Sequence, residues 1–124
     1  MPITYTPQKV WALRYIREAK AELTAAKEMP LIVPSLVLEA MRKAQAAIYY
    51  SLGEPMYIET IVRQASRNKK FIDDPILRCL VEIERTVQKA MQSSKPNSQK
   101  TIKQADNLIQ IALSIVKLFT QEAN

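Results

Sequence analysis

Arg63, Arg67, Asn68, Lys69 and Lys70 are the residues whose types and spacing come nearest to a site. The four cations fall within eight positions with no acid among them. Arg63 and Arg67 are four apart and share one face of a helix. Lys69 and Lys70 carry the charge on into a loop, where long cationic side chains can reach phosphate oxygens. The competing account is a solvated helix end, where the helix dipole favours positive charge without any ligand. Tyr49 and Tyr50 form the other notable pair. Neighbours on a helix diverge by about a hundred degrees, so one ring is expected to pack inside while the other edges toward solvent. A base-stacking role would need the exposed ring to sit beside positive charge.

Catalytic constellations are scarce. The chain has no histidine, which removes imidazole acid–base chemistry, Ser-His and Cys-His nucleophile pairs, and imidazole metal ligands. Cys79 is the only cysteine and Gly53 the only glycine. An internal disulfide, a structural zinc site and a glycine-rich phosphate loop are therefore all out of reach. Glu82 and Glu84 are two apart and point to different helix faces. Asp74 is best placed as a helix cap in front of Pro75. No catalytic residue, metal ligand or cofactor is expected.

Five helices are expected to position these groups. The first spans residues 7–29, with Thr6 as cap and Pro7 at its first turn. Its apolar stripe is Ala12, Ile16, Ala19, Leu23 and Ala26. "MPLIVP" then reads as an extended crossing between two prolines. Ser35 is expected to cap a second helix running to Leu52, with Val37, Met41, Ala44, Ile48 and Leu52 inside and Ala40 and Ala47 beside them. Gly53 falls where helices commonly end in left-handed geometry, and Pro55 restarts a shorter helix that fades near Asn68. That helix carries Ile58, Ile61, Val62 and Ala65. Asp74 opens the fourth, with Ile76, Leu80, Ile83, Val87 and Ala90 on its stripe. After "SSKPNS", Ser98 opens the last, whose seam is Ile102, Ala105, Ile109, Ala112, Val116 and Phe119. The fold class is all-α: an up-and-down bundle of four long helices plus one short helix, forming one domain over residues 1–124.

Eighteen basic and twelve acidic residues give a net charge of +6, a balance that favours anionic partners. Lys9, Arg14 and Arg17 interrupt the first apolar stretch, so no signal peptide is expected. No apolar run approaches the ~20 residues of a membrane helix. A lone cysteine fits a reducing compartment, so a cytoplasmic protein with no membrane partner is expected.

The segments "ALRYIREAKAELTAAKE", "PSLVLEAMRKAQAAIYYSLGEP" and "ADNLIQIALSIVKLF", in that order, resemble the HEPN domain, a helical bundle of prokaryotes. The resemblance covers nearly the whole chain and rests on helix pattern and small residues. Many HEPN proteins are ribonucleases with an arginine, often a following polar residue, and a histidine a few positions on. Arg67 and Asn68 match the start of that motif, but Ile72, Asp73 and Asp74 stand where the histidine would fall. The resemblance therefore implies a member without ribonuclease chemistry: a binding and interaction module, dimerising through helix faces, with a small nucleotidyltransferase as one class of protein partner. Trp11, Tyr5 and Tyr15 could supply aromatic surface for such contacts. The alternative is RNA, nucleic-acid or nucleotide binding through residues 63–70. An enzyme built from Asp, Glu, Lys, Tyr or Arg alone is the third reading.

Overall fold

A computed structural model of the chain describes residues 7–29, 35–68, 71–96 and 98–120. Five helices follow one another: α1 (Pro7–Glu28), α2 (Leu36–Leu52), α3 (Pro55–Arg67), α4 (Pro75–Gln92) and α5 (Gln99–Thr120). They form an all-α bundle. The "MPLIVP" crossing between its prolines, Thr6 and Tyr5 lie outside the described residues.

Alanine decides how the bundle closes. Ala12, Ala19 and Ala26 of α1 and Ala40, Ala44 and Ala47 of α2 are all buried. Side chains this small let two helix backbones approach closely, and α1 and α2 form the most extensive helix pair. Ile16, Leu23, Val37, Met41 and Ile48 fill the layer between them and α5. α5 adds Ala105, Leu108, Ile109, Ala112 and Val116, while Ile102 and Phe119 at the ends of its expected seam are only half-buried. Lys43 ties α2 to α1 from the outside, its Nζ lying 3.0 Å from Glu18 Oε1 and 2.7 Å from Glu22 Oε1. Hydrogen bonds to Glu22 and Glu18 hold the Lys43 ammonium well above its ordinary pKa. Hydrogen bonds from Lys43 and Arg14 in turn hold the Glu18 carboxyl below its own.

α3 and α4 form a hairpin that leans on α2 and scarcely touches α5. This arrangement alters two expected stripes. On α4, Leu80, Ile83, Val87 and Ala90 are buried, but Ile76 is 63% exposed at the open groove between α3 and α4. On α3 only Val62 is buried, with Ile58 and Ala65 half-buried and Ile61 exposed. The hairpin's inner face is narrower than the periodicity implies.

Caps follow chemistry in two places and depart from it in two. Asp74 Oδ1 accepts from the backbone N–H of Ile76 (2.8 Å) and of Leu77 (3.3 Å), fixing the start of α4. Ser98 Oγ accepts from the Thr101 N–H at 3.3 Å and opens α5. Ser35 makes no side-chain cap bond because its own backbone is already helical. Gly53 ends α2 with its N–H donating to the Tyr49 carbonyl, at φ 155° and ψ −136°. That is a positive-φ extended conformation, not the compact left-handed turn usual after a helix, and a side chain there is strained. A Cβ on Gly53 would meet Ile58 Cδ1 at 3.6 Å, an ordinary contact, so the strain is in the backbone. Gly53→Ala is expected to cost about 1–3 kcal/mol, lowering the thermal midpoint by roughly 5 °C or more in a melt followed by circular dichroism.

Candidate functional site: the cleft between α2 and α3

Arg63 and Arg67 stand one turn apart on the exposed side of α3. Asn68 is the residue after the helix, and its N–H donates to the Ala65 carbonyl at 3.2 Å. Lys69 and Lys70 lie outside the described residues. The basic cluster gains a member that its sequence neighbourhood does not show. Arg85 of α4 reaches the same helix end, where its Nη2 donates to the carbonyls of Ser66 and Asn68, both at 3.4 Å. Part of this charge is spent locally. Arg63 Nη2 is 2.7 Å from Glu59 Oε1, one turn earlier on α3, and Arg85 satisfies carbonyls left open at the helix C-terminus.

Arg63 also walls a cleft of about 180 Å³ that Arg42, Gln45, Tyr49, Tyr50 and Met56 help to line. The two tyrosines part company here. Tyr49 is buried, and its hydroxyl accepts a 2.9 Å hydrogen bond from Gln45 Nε2. Tyr50 is half-buried, and its ring stacks with Tyr15 (centroids 5.5 Å apart) and Trp11 (6.4 Å). Arg14 lies over Trp11 at 4.9 Å from the ring centroid. The aromatic surface expected of Trp11 and Tyr15 is therefore a stack shared between α1 and the last turn of α2.

Beneath the cleft is a polar network that pattern reading passed over. Glu84 of α4 is 1% exposed. Its Oε1 accepts from Gln45 Nε2 at 2.6 Å and from Arg42 Nη1 at 3.1 Å, and its Oε2 accepts from Gln88 Nε2 at 2.6 Å. Arg42 Nη1 also donates to Gln45 Oε1 at 2.8 Å, and Arg42 Nη2 lies 3.0 Å from the Met91 sulfur. A signal for this network was present: Glu84 stands one turn from Leu80 and three residues from Val87, and Gln45 stands one turn from Met41. A charge or amide on an apolar stripe has to find partners inside.

The polar groups of this network are hydrogen-bonded to one another. Burial, followed by the nearby Glu84 charge, pushes the Tyr49 hydroxyl up to about 12. Gln45, the group in contact with that hydroxyl, is an amide and takes no proton from it. Among the described residues no cluster of Cys, Asp or Glu is arranged to hold a metal ion. None of their helices is long and apolar enough to cross a membrane. Compared with protein-family models, with curated proteins and with solved structures, the chain shows no match.

Two outcomes follow from the network. Glu84→Ala strands the buried Gln45 amide and half of the partly exposed Arg42 fork, while the exposed Gln88 can turn to water. The substitution should cost about 3 kcal/mol in urea unfolding, with Glu84→Gln costing clearly less because it keeps an acceptor in place. Tyr49 keeps its proton in the folded chain to higher pH than in the unfolded one. Stability should therefore fall as pH rises from about 10, where tyrosine ordinarily ionises, through about 12. Tyr49→Phe should flatten that part of the stability–pH curve.

Proposed function

We propose that this chain is a non-catalytic helical interaction module of HEPN-like type, acting through a protein partner and as a homodimer. The observation that carries the reading is the outer surface of the α3–α4 hairpin. Tyr57 is 69% exposed, Ile76 63% and Ile61 37%. Tyr57, Ile61, Ile76 and Leu77 border a shallow groove of about 340 Å³ across the two helices.

Charge supports the same reading. Residues 54–92, the hairpin with its leading Glu54, hold six acidic and seven basic side chains, so all but one of the six net positive charges lie elsewhere in the chain. The hairpin is a nearly neutral segment of a basic protein. Such a segment can meet a partner, or a second copy, with little like-charge repulsion. The HEPN-like resemblance implies a nucleotidyltransferase-type partner, and the lack of any histidine fits a role without ribonuclease chemistry.

Nucleic-acid binding is the second reading, and the meeting of Arg63, Arg67 and Arg85 at the end of α3 favours it. The Glu59 pairing and the carbonyl contacts of Arg85 count against it. Sedimentation velocity separates the two. The interaction module should sediment at twice the 14.2 kDa chain mass at micromolar concentration, and single-stranded RNA should not bind. A strict monomer that binds RNA in a salt-sensitive way, and loses it on Arg67→Glu, would transfer the function to the arginine cluster.

A further inference from the structure

Tyr49 carries a hydroxyl proton that the polar network does not use. A carboxylate can only accept, so the Gln45 atom 2.6 Å from Glu84 Oε1 is the amide nitrogen, and this fixes the orientation of the amide. The second hydrogen of that nitrogen goes to the Tyr49 hydroxyl at 2.9 Å, while Gln45 Oε1 accepts from Arg42 Nη1 at 2.8 Å. Tyr49 is therefore an acceptor toward Gln45, and its own O–H meets no acceptor among the described residues. The residue is 6% exposed and lines the cleft between α2 and α3. A buried donor left without an acceptor costs free energy, and a ligand in the cleft can supply one.

The other open groups of the cleft are of both signs. Arg63 gives Nη2 to Glu59 Oε1 at 2.7 Å, and its remaining N–H groups meet no acceptor among the described residues. Glu59 Oε2 meets no donor among them. Both residues line the cleft, and both side chains are partly exposed, so the pair exchanges partners at little cost. Arg42 is differently placed, because its Nη1 is held by Glu84 and Gln45. The charges of the cleft cancel, Arg42 against Glu84 and Arg63 against Glu59. A lone anion gains no net positive charge there, whereas a ligand with one charge of each sign finds a partner for both.

We propose that this cleft binds a free α-amino acid with a short side chain. The ligand carboxylate accepts from the Tyr49 hydroxyl and from the open edge of Arg63, and the ligand ammonium donates to Glu59 Oε2. Ala46, Tyr50 and Pro55 supply the apolar part of the wall, against which the ligand side chain rests. A few placed polar groups on an otherwise apolar wall are what a small-molecule site consists of. Size agrees with the assignment. The cleft of about 180 Å³ has the room of about six water molecules at ~30 Å³ each, which suits alanine or valine and excludes a nucleotide. The cleft shares no lining residue with the groove between α3 and α4, so the ligand site stands or falls apart from the interaction surface.

Titration of the full chain with L-alanine, L-valine, propionate and ethylamine, followed by amide chemical shifts in NMR, tests the site. Either amino acid should move the amides of Gln45, Tyr49, Tyr50, Glu59 and Arg63 in a saturable way. Propionate, which lacks the ammonium, and ethylamine, which lacks the carboxylate, should bind about tenfold more weakly or worse, the loss expected when one charged hydrogen bond is missing. Tyr49→Phe should weaken alanine by about tenfold as well. Arg63→Gln, a change on the exposed side of α3, should do the same with the helical circular dichroism intact, so a folding defect in Tyr49→Phe leaves the test standing. Glu59→Gln should remove the preference for alanine over propionate, and Lys20→Gln on the exposed face of α1 should change nothing. Absence of saturable shifts, equal binding of propionate and alanine by the unaltered chain, or alanine binding unmoved by Arg63→Gln would each overturn the assignment.

Discussion

A carboxylate taken out of water has to be surrounded by donors, and in this protein that requirement falls on Glu84. Its two oxygens are met by Gln45 and Arg42 from α2 and by Gln88 from its own helix. Hydrophobic contact alone leaves helices free to slide and rotate, because apolar surface has no preferred direction. Hydrogen bonds to a buried charge carry direction. They set the rotation of α4 against α2 and, through the hairpin, the place of α3. The cleft, the height of Arg63 above it and the outward faces of α3 and α4 all follow from that one docking. Arg42 closes the network at the rim, where its side chain is still 33% exposed and the head keeps part of its hydration.

The rest of the bundle divides the work differently. α1, α2 and α5 are held by close alanine contacts and by branched aliphatic side chains in the middle layer. α4 adds Leu80, Val81, Ile83, Val87 and Ala90 to the same core. It still carries more apolar surface than α2 can cover, and α5 is not brought in to cover the remainder. A bundle with one helix pair left apart exposes side chains that a closed bundle would hide, and here Ile111 is one of them, 42% exposed at the groove between α4 and α5.

Much of the fold was legible because helices on a three-helix core bury their stripes in the simplest way. The α1 stripe of Ala12, Ile16, Ala19, Leu23 and Ala26 is buried residue for residue, and Asp74 caps α4 as its chemistry dictates. Periodicity failed where an element was only half covered. It marks which residues share a face and is silent on whether a neighbour reaches that face, so Ile76 and Ile61 read as core and are not. Ser35 failed as a cap because a serine can sit inside a first turn as readily as before it. The site was less legible than the fold. Arg63, Arg67 and Asn68 could be read from local charge. Arg85 and Glu84 could not be joined to them, because their partners lie in other helices and pairing across a hairpin leaves no local pattern.

The aromatic stack has a consequence of an optical kind. Trp11 is the chain's one tryptophan, and it sits between the Arg14 guanidinium and the rings of Tyr15 and Tyr50. Tyr50 belongs to the last turn of α2, three residues before Gly53. The indole is thus in contact with both helices at one end of the α1–α2 pairing, close to the joint that leads into the hairpin. Its emission is an internal gauge of that joint. Any loosening of the hairpin that disturbs the end of α2 changes the indole's neighbours, and the protein reports its own movement without a label.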